Sequence, residues 1–243
     1  MTNYGLIGYP LEHSFSERYF REKFEKEGIK NCRYTAFPLQ SIEEIEGLIE
    51  EKKLSGFNVT IPYKQKIIPF LDSLSPEAEA VGAVNTVHIQ NGQRIGYNTD
   101  IYGFQTSIKP FLTPTHEHAL ILGTGGASSA VAYVLKQLGI SVSFVSRTQR
   151  GEGYFSYDAL TPEMIRHFKL LVNTTPLGTY PQVDSCPDIP YSGITSEHLL
   201  YDLVYNPEET RFMKNGIQQG ATAVNGLNML KLQAERAWGI WRE

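Results

Sequence analysis

Near the middle of this 243-residue chain stands a glycine-rich turn, A-L-I-L-G-T-G-G-A-S-S-A-V from Ala119, where an apolar run gives way to a helical one. Residues 119–122 suit a buried parallel strand. Gly123 and Gly125 are free to take positive φ and to let backbone N–H groups approach a pyrophosphate. Gly126 and Ala127 follow, and Ser128 holds the place of the third small residue of G-x-G-x-x-G/A. Residues 127–138 then read as a helix whose N-terminal dipole favours an anion. A nucleotide turn at mid-chain rather than at the start means that the residues ahead of it must form a unit of other purpose.

The next strand refines this. Residues 141–146, S-V-S-F-V-S, end about 20 residues beyond the glycines, where an NAD enzyme places an acid on the ribose 2′-hydroxyl. Here the chain reads Ser146, Arg147, Thr148, Gln149, Arg150, with no acid at the strand end. Two guanidinium groups suit a 2′-phosphate by charge-assisted pairing, which favours NADP over NAD. Without the glycines ahead of them, the same arginines would read as a solvated loop.

Composition sets outer bounds. With 41% hydrophobic and 20% charged residues, the chain can bury a full core, as one large or two modest domains. A net charge of −4 leaves no broad basic field for nucleic acid or an anionic membrane, so any anion site must be local. Cys32 and Cys186 are far apart, without a C-x-x-C pair or a histidine cluster at metal spacing, so a reduced cytoplasm is expected and a metal is not. The first ten residues do not resemble a signal peptide, and no apolar run approaches membrane-spanning length. The expected location is the cytoplasm.

Along the front of the chain the pattern alternates: strand 4–9, helix 16–28, strand 32–37, amphipathic helix 42–53, strand 56–61, a βαβαβ succession. Asn91-Gly92 between 84–90 and 94–97 is a two-residue hairpin signal. Residues 102–111 read as a helix, after which Pro110 and Pro114 break the chain and predict a hinge before the second domain opens near Glu117. Residues 150–153 and 179–193 read as surface loops. The helical run 227–241 fits either domain.

Polar side chains gather at the strand ends of the front half. H-S-F-S brings Ser14 and Ser16, G-F-N-V-T-I-P-Y-K brings Asn58, Thr60 and Lys64, G-A-V-N-T brings Asn85, and G-Y-N-T-D brings Asn98, Thr99 and Asp100. Each has an ordinary reading: Ser16 as a helix cap, Thr60 as a strand former, Lys64 as a solvated lysine. Together they describe a pocket of donors and acceptors with one cation and one anion, suited to a small hydroxylated ligand.

These strings, followed in order by G-T-G-G-A-S, S-R-T, V-N-T-T-P-L-G, Y-D-L-V-Y-N-P and G-L-N-M-L-K-L-Q, make the chain similar nearly end to end to the NADP-dependent shikimate dehydrogenases. The resemblance implies an α/β protein of two domains. An N-terminal α/β substrate domain with a mainly parallel sheet would comprise 1–100 plus 226–243, and a Rossmann-type NADP-binding domain 101–225. It implies Ser14, Ser16 and Thr60 on the substrate carboxylate, Lys64 and Asp100 as the catalytic pair, and Asn85 and Gln233 on ring hydroxyls. Tyr205 and Gly226 would lie near substrate and nicotinamide. Gly123, Gly125, Gly126, Ala127 and Ser128 would hold the pyrophosphate, Arg147, Thr148 and Arg150 the 2′-phosphate, and Thr174 and Leu203 would line the cofactor cleft. The expected partner is a small molecule, shikimate or 3-dehydroshikimate, on the route to chorismate and the aromatic amino acids; no nucleic acid or membrane is expected, and the protein would be a monomer or homodimer. Ser146 and Thr124 replace the family's usual asparagine and alanine, and residues 151–156 depart from its pattern. The alternatives are a quinate/shikimate dehydrogenase, which usually carries an acid near the second strand end, and a non-catalytic NADP-binding sensor, for which Lys64 and Asp100 would be superfluous.

Overall fold

A computed structural model describes residues 1–11, 15–148 and 151–243. They divide into two units, Met1–Thr99 with Ala234–Glu243, and Asp100–Gln233. The first contains β1 (Thr2–Gly8), α1 (Phe15–Lys26), β2 (Cys32–Pro38), α2 (Ile45–Lys52), β3 (Leu54–Val59), β4 (Ser73–Leu74), α3 (Pro76–Val81), β5 (Thr86–Gln90) and β6 (Gln93–Tyr97). Its sheet runs β2-β1-β3-β5-β6-β4. β1 lies parallel to both β2 and β3, and β5 is antiparallel to β3 and β6.

Local chemistry explains where these elements begin and end. Ser41 and Glu44 form a reciprocal capping box, so the predicted helix at 42 opens as a 3₁₀ turn before α2 proper, and Lys53 closes it in the left-handed region at φ 48°. Asn91 and Gly92 both have positive φ, 53° and 80°, as a two-residue type I′ hairpin requires. The βαβαβ reading passes over α3, although its signals stand in the sequence: Ser75 caps the Ala78 N–H, Pro76 opens the first turn, and Gly82 follows the last residue at φ 66°.

The second unit contains α4, which begins with Thr99 (Thr99–Ile108), then β7 (His118–Leu122), α5 (Gly126–Gln137), β8 (Ser141–Ser146), β9 (Tyr154–Ser156), α6 (Pro162–His167), β10 (Leu170–Asn173), β11 (Leu199–Asp202), α7 (Arg211–Gln218), β12 (Thr222–Val224) and most of α8 (Leu227–Ile240). Its sheet is parallel throughout, in the order β12-β11-β10-β7-β8-β9. Counting strands from β7, this is 6-5-4-1-2-3, the doubly wound dinucleotide order with its switch point between β7 and β10. Alternate residues of β7 face opposite cores. Ala119 and Ile121 pack with Phe104, Val131, Leu135 and Met229, whereas Leu120 and Leu122 pack with Ile165, Phe212 and Met213. Both faces are therefore covered by helices, as a parallel sheet requires. Among the described residues no helix is long and apolar enough to cross a membrane, and no group of His, Cys, Asp and Glu has the placement of a metal site.

The last helix changes allegiance along its length. Met229 belongs to the second unit's core, whereas Ala234, Ala237, Trp238 and the following Trp241 pack with Tyr4, Leu6, Phe20, Phe24 and Tyr34 of the first. Trp241 stacks on Tyr4 at 4.7 Å and donates from Nε1 to the Val87 carbonyl at 2.9 Å. Gly56 makes room for it, since a Cβ there would lie 2.5 Å from the indole nitrogen. Trp241→Ala removes a buried ring and orphans a strand carbonyl, and is expected to lower stability by about 3–5 kcal/mol. Chemical denaturation measures this; a loss below about 1 kcal/mol would mean that the chain end does not hold the first sheet.

Candidate active site

The glycine turn lies at the switch point of the second sheet. Gly123 leaves β7 at φ 107°, with its N–H on the Val145 carbonyl at 2.9 Å, and a Cβ there would meet Thr174 Oγ1 at 2.8 Å. Only glycine fits both constraints. Gly125, also expected to use positive φ, is instead extended at φ −83°, ψ −176°. Its missing side chain serves access, because a Cβ at Gly125 would touch nothing within 4 Å. It caps α5, whose first turn carries Gly126, Ala127 and Ser128. The buried Ser128 hydroxyl turns back to the Gly125 carbonyl at 2.5 Å, and Gly125 itself is exposed. At the end of β8 the buried Ser146 hydroxyl donates to the Thr148 carbonyl, and Arg147 and Thr148 are exposed. Arg150 lies outside the described residues. An open helix N-terminus, a glycine turn at the switch point and an exposed arginine at the next strand end fit a phosphorylated dinucleotide.

Three loops of this edge are tied by side chains that motif reading does not single out. Asn173, Asp202 and Thr210 are all fully buried. Asn173 Nδ2 donates to Asp202 Oδ1 at 2.9 Å, while its Oδ1 accepts from the Thr175 N–H at 3.0 Å and hydroxyl at 2.6 Å. Asp202 also accepts from the Val204 N–H at 3.0 Å and the Thr210 hydroxyl at 2.6 Å. Thr174 sits between, its hydroxyl on the Leu122 carbonyl at 2.8 Å, and Leu203 donates from its N–H to Asn173 O at 3.0 Å. Gly226 donates to Val204 O at 3.1 Å, and a Cβ on it would strike the Leu203 carbonyl at 2.2 Å. Tyr205, half-buried, lies on the same β11 loop. The signal for this network was a polar residue ending each of two apolar strands, L-L-V-N and L-L-Y-D. Burial pushes the Asp202 carboxyl up to about 6, against the lowering effect of its three hydrogen bonds.

In the first unit the strand register brings the polar strings to one edge. β1 and β3 end there, β5 begins there opposite Asn58, and β6 ends there opposite Thr86. Thr60 follows β3, its N–H on the Ile7 carbonyl at 2.9 Å, and Gly8 exists to clear its methyl, which a Cβ would meet at 2.4 Å. Lys64 is half-buried between the buried anchors Tyr63 and Ile67, and its carbonyl accepts from the Val84 N–H at 2.8 Å, beside Asn85. Asn85 is buried and accepts at Oδ1 from the Thr99 N–H at 2.7 Å. Asn58, named as a pocket residue, turns inward. It accepts from the Tyr34 hydroxyl at 2.8 Å and donates to Thr86 Oγ1 at 3.0 Å. Ser16 lies inside the first turn of α1 rather than capping it, near the Tyr34 hydroxyl. Asn98 Nδ2 donates to the Ala83 carbonyl at 2.9 Å, and its Oδ1 is buried with no protein partner among the described residues. Ser14 lies outside the described residues.

Asp100 and Gln233 come from two helices of the second unit and are both buried. Asp100 is in the first turn of α4, and Gly103 lies one turn on along the same face. A Cβ on Gly103 would fall 2.6 Å from the Met229 carbonyl and 3.1 Å from Gln233 Cβ, so glycine lets α4 close on α8 at Gln233. The sequence reading names both polar residues and misses the glycine that allows the approach.

The chain is similar over nearly its whole length to known proteins. Residues 6–87 match the family described as the shikimate dehydrogenase substrate binding domain. The chain is 39% identical to the NADP(+) shikimate dehydrogenase of Carboxydothermus hydrogenoformans over 98% of its own length and 90% of that protein's. It is 40% identical to that of Clostridium beijerinckii over 100% and 93%. The crystal structure of shikimate 5-dehydrogenase from Thermus thermophilus, in complex with NADP(H) and shikimate, superposes with a TM-score of 0.87 at 33% identity, covering 99% of this chain and 93% of that one.

The raised Asp202 group also yields a prediction with a defined sign. A carboxyl whose folded-state value lies above its unfolded value of 3.8 contributes stability that is full below that value and is lost as pH rises through about 6. Asp202→Asn cannot titrate. The stability gap between wild type and Asp202→Asn is therefore expected to be largest near pH 4 and to shrink by pH 8, as thermal unfolding across that range will show. A gap that widens with pH would contradict the assignment.

Proposed function

The chain belongs to the shikimate dehydrogenase family, and on that premise we propose that it is an NADP-dependent oxidoreductase interconverting 3-dehydroshikimate and shikimate. The observation that carries the reading is that both of its specialised edges are intact. In the first unit Thr60 follows β3 and Asn85 precedes β5, with Lys64 bonded through its backbone to Val84 and Ser16 in the first turn of α1; in the second the glycine turn follows β7 and Arg147 follows β8. NADPH, when bound at that turn, supplies the hydride.

The chain's own groups do the rest. As hydride reaches the carbonyl carbon, negative charge builds on its oxygen, and Lys64 delivers a proton there. Asp100 is assigned as the anionic member of the catalytic pair. Ser14, Ser16 and Thr60 hold the carboxylate away from the reacting carbon, while Asn85 and Gln233 hold ring hydroxyls. The buried Asn98 Oδ1 is an acceptor for a further hydroxyl or for water. Holding the substrate at points remote from the reaction sets its orientation, and an error of about 1 Å there costs on the order of a hundredfold in rate. Tyr205 and Gly226 are assigned to the neighbourhood of the nicotinamide and substrate. The pyrophosphate lies over Gly125, Gly126 and Ala127, and Arg147, Thr148 and Arg150 receive the 2′-phosphate.

The first test is the initial rate by nicotinamide absorbance, crossing shikimate and quinate against NADP and NAD. Fast turnover with shikimate and NADP alone is expected; equal use of quinate, or no turnover by protein that binds NADP, would replace the reading. Lys64→Ala should lower kcat by about 10²–10⁴-fold, the usual worth of a positioned proton donor, with NADP affinity unchanged. Loss of both together would instead indicate misfolding. Arg147→Ala should raise the KM for NADP far more than that for NAD, and an unchanged preference would remove the 2′-phosphate role.

A further inference from the structure

The segment that departs from the family's pattern is also where the second sheet is built unusually. β8 and β9 are parallel neighbours, yet residues 147–153 are all that joins them, short of the roughly dozen residues that a parallel crossover ordinarily takes. The two strands end level, with Val145 opposite Phe155 and Ser146 opposite Ser156. The residues that leave the carboxyl edge next are Arg147 and Tyr157.

Val145 and Phe155 both pack on the core formed by Leu120, Ile165 and Phe168. Arg147 and Tyr157 each follow the last residue of a paired strand, so they leave neighbouring chain ends about 4.8 Å apart. The Tyr157 ring rests on the same core and opens a 3₁₀ turn, which limits where its hydroxyl can go. Tyr154, on the opposite face, stacks on Phe144 at 4.9 Å and holds the pairing.

From this placement we infer that Tyr157 is a second determinant of NADP selectivity in this chain, its hydroxyl donating to the ribose 2′-phosphate that Arg147 receives. The inference rests on the reading of Arg147 given above. Burial raises the Tyr157 phenol, and the Arg147 guanidinium lowers it by less, so the hydroxyl stays protonated at neutral pH and is a donor.

Tyr157→Phe keeps the ring and removes the donor. Calorimetric titration with 2′,5′-ADP and with 5′-AMP separates the contributions. The variant is expected to bind 2′,5′-ADP about tenfold more weakly, the effect of one hydrogen bond to a charged acceptor, with 5′-AMP binding and thermal midpoint unchanged. The KM for NADP should rise in proportion, with kcat and the KM for NAD retained. Unchanged 2′,5′-ADP binding, or an equal loss for both nucleotides, overturns the inference. Arg147→Ala, titrated in parallel, distinguishes the two failures. If it alone weakens 2′,5′-ADP, the 2′-phosphate site stands without Tyr157; if neither variant does, both assignments fall.

Discussion

A carboxyl group with no access to water organises the carboxyl edge of the second sheet. Asp202 is fully buried, and its two oxygens take three donors from three places: the Asn173 side chain, the Val204 backbone and the Thr210 hydroxyl. A buried acid left short of those donors would cost several kcal/mol, so the loops after β10 and β11 and the start of α7 are held together or not at all. Thr174, Leu203 and Gly226 inherit their positions from this arrangement. Through Thr174 on the Leu122 carbonyl, the glycine turn does too. The surface offered to a dinucleotide is thus shaped from underneath, by residues that need not touch it.

The first unit solves a similar problem with neutral groups. Tyr34, Asn58, Thr86, Asn85 and Thr99 form one run of hydrogen bonds beneath the strand ends. Such a network is stable only when every member is satisfied, which makes its geometry specific. Asn85 is oriented by Thr99, the residue before Asp100, and Lys64 is tied by its backbone to Val84. Positions far apart in the chain are therefore referred to one local frame. The aromatic cluster of Tyr4, Phe20, Tyr34 and Trp241 supports that frame from below, and depends on the end of the chain returning to the first sheet.

Much of this was legible in the residues. The apolar run and glycines from Ala119, the Asn91-Gly92 hairpin and strand 141–146 are local signals, carried by φ preference and side-chain period. Other features were legible but ambiguous. Asn58 and Thr60 lie two apart in the same string, and alternation alone would put them on one face; Asn58 faces Tyr34 and Thr86 inside the sheet, whereas Thr60 differs because β3 ends at Val59 before it. Gly125 and Gly103 show the opposite difficulty. A glycine records that a side chain is absent and not which neighbour requires its absence, whether open space above a helix or the carbonyl of a facing one.

The sequence alone determined the alternation of the first strands and helices, the place of the nucleotide turn and the arginine in place of an acid after β8, because each depends on residues within a few positions of one another, and the ordered set of such strings determined the family to which the chain belongs. Tertiary structure alone decided which strands became neighbours and, with that, which side chains meet. Asn173 finds Asp202 because β10 and β11 pair, and Tyr157 comes level with Arg147 because β8 and β9 pair in register across a short connection. The division of α8 between two cores was decided the same way. Contacts between distant residues exist only once the strands have packed, so their energies leave no periodic mark in the chain.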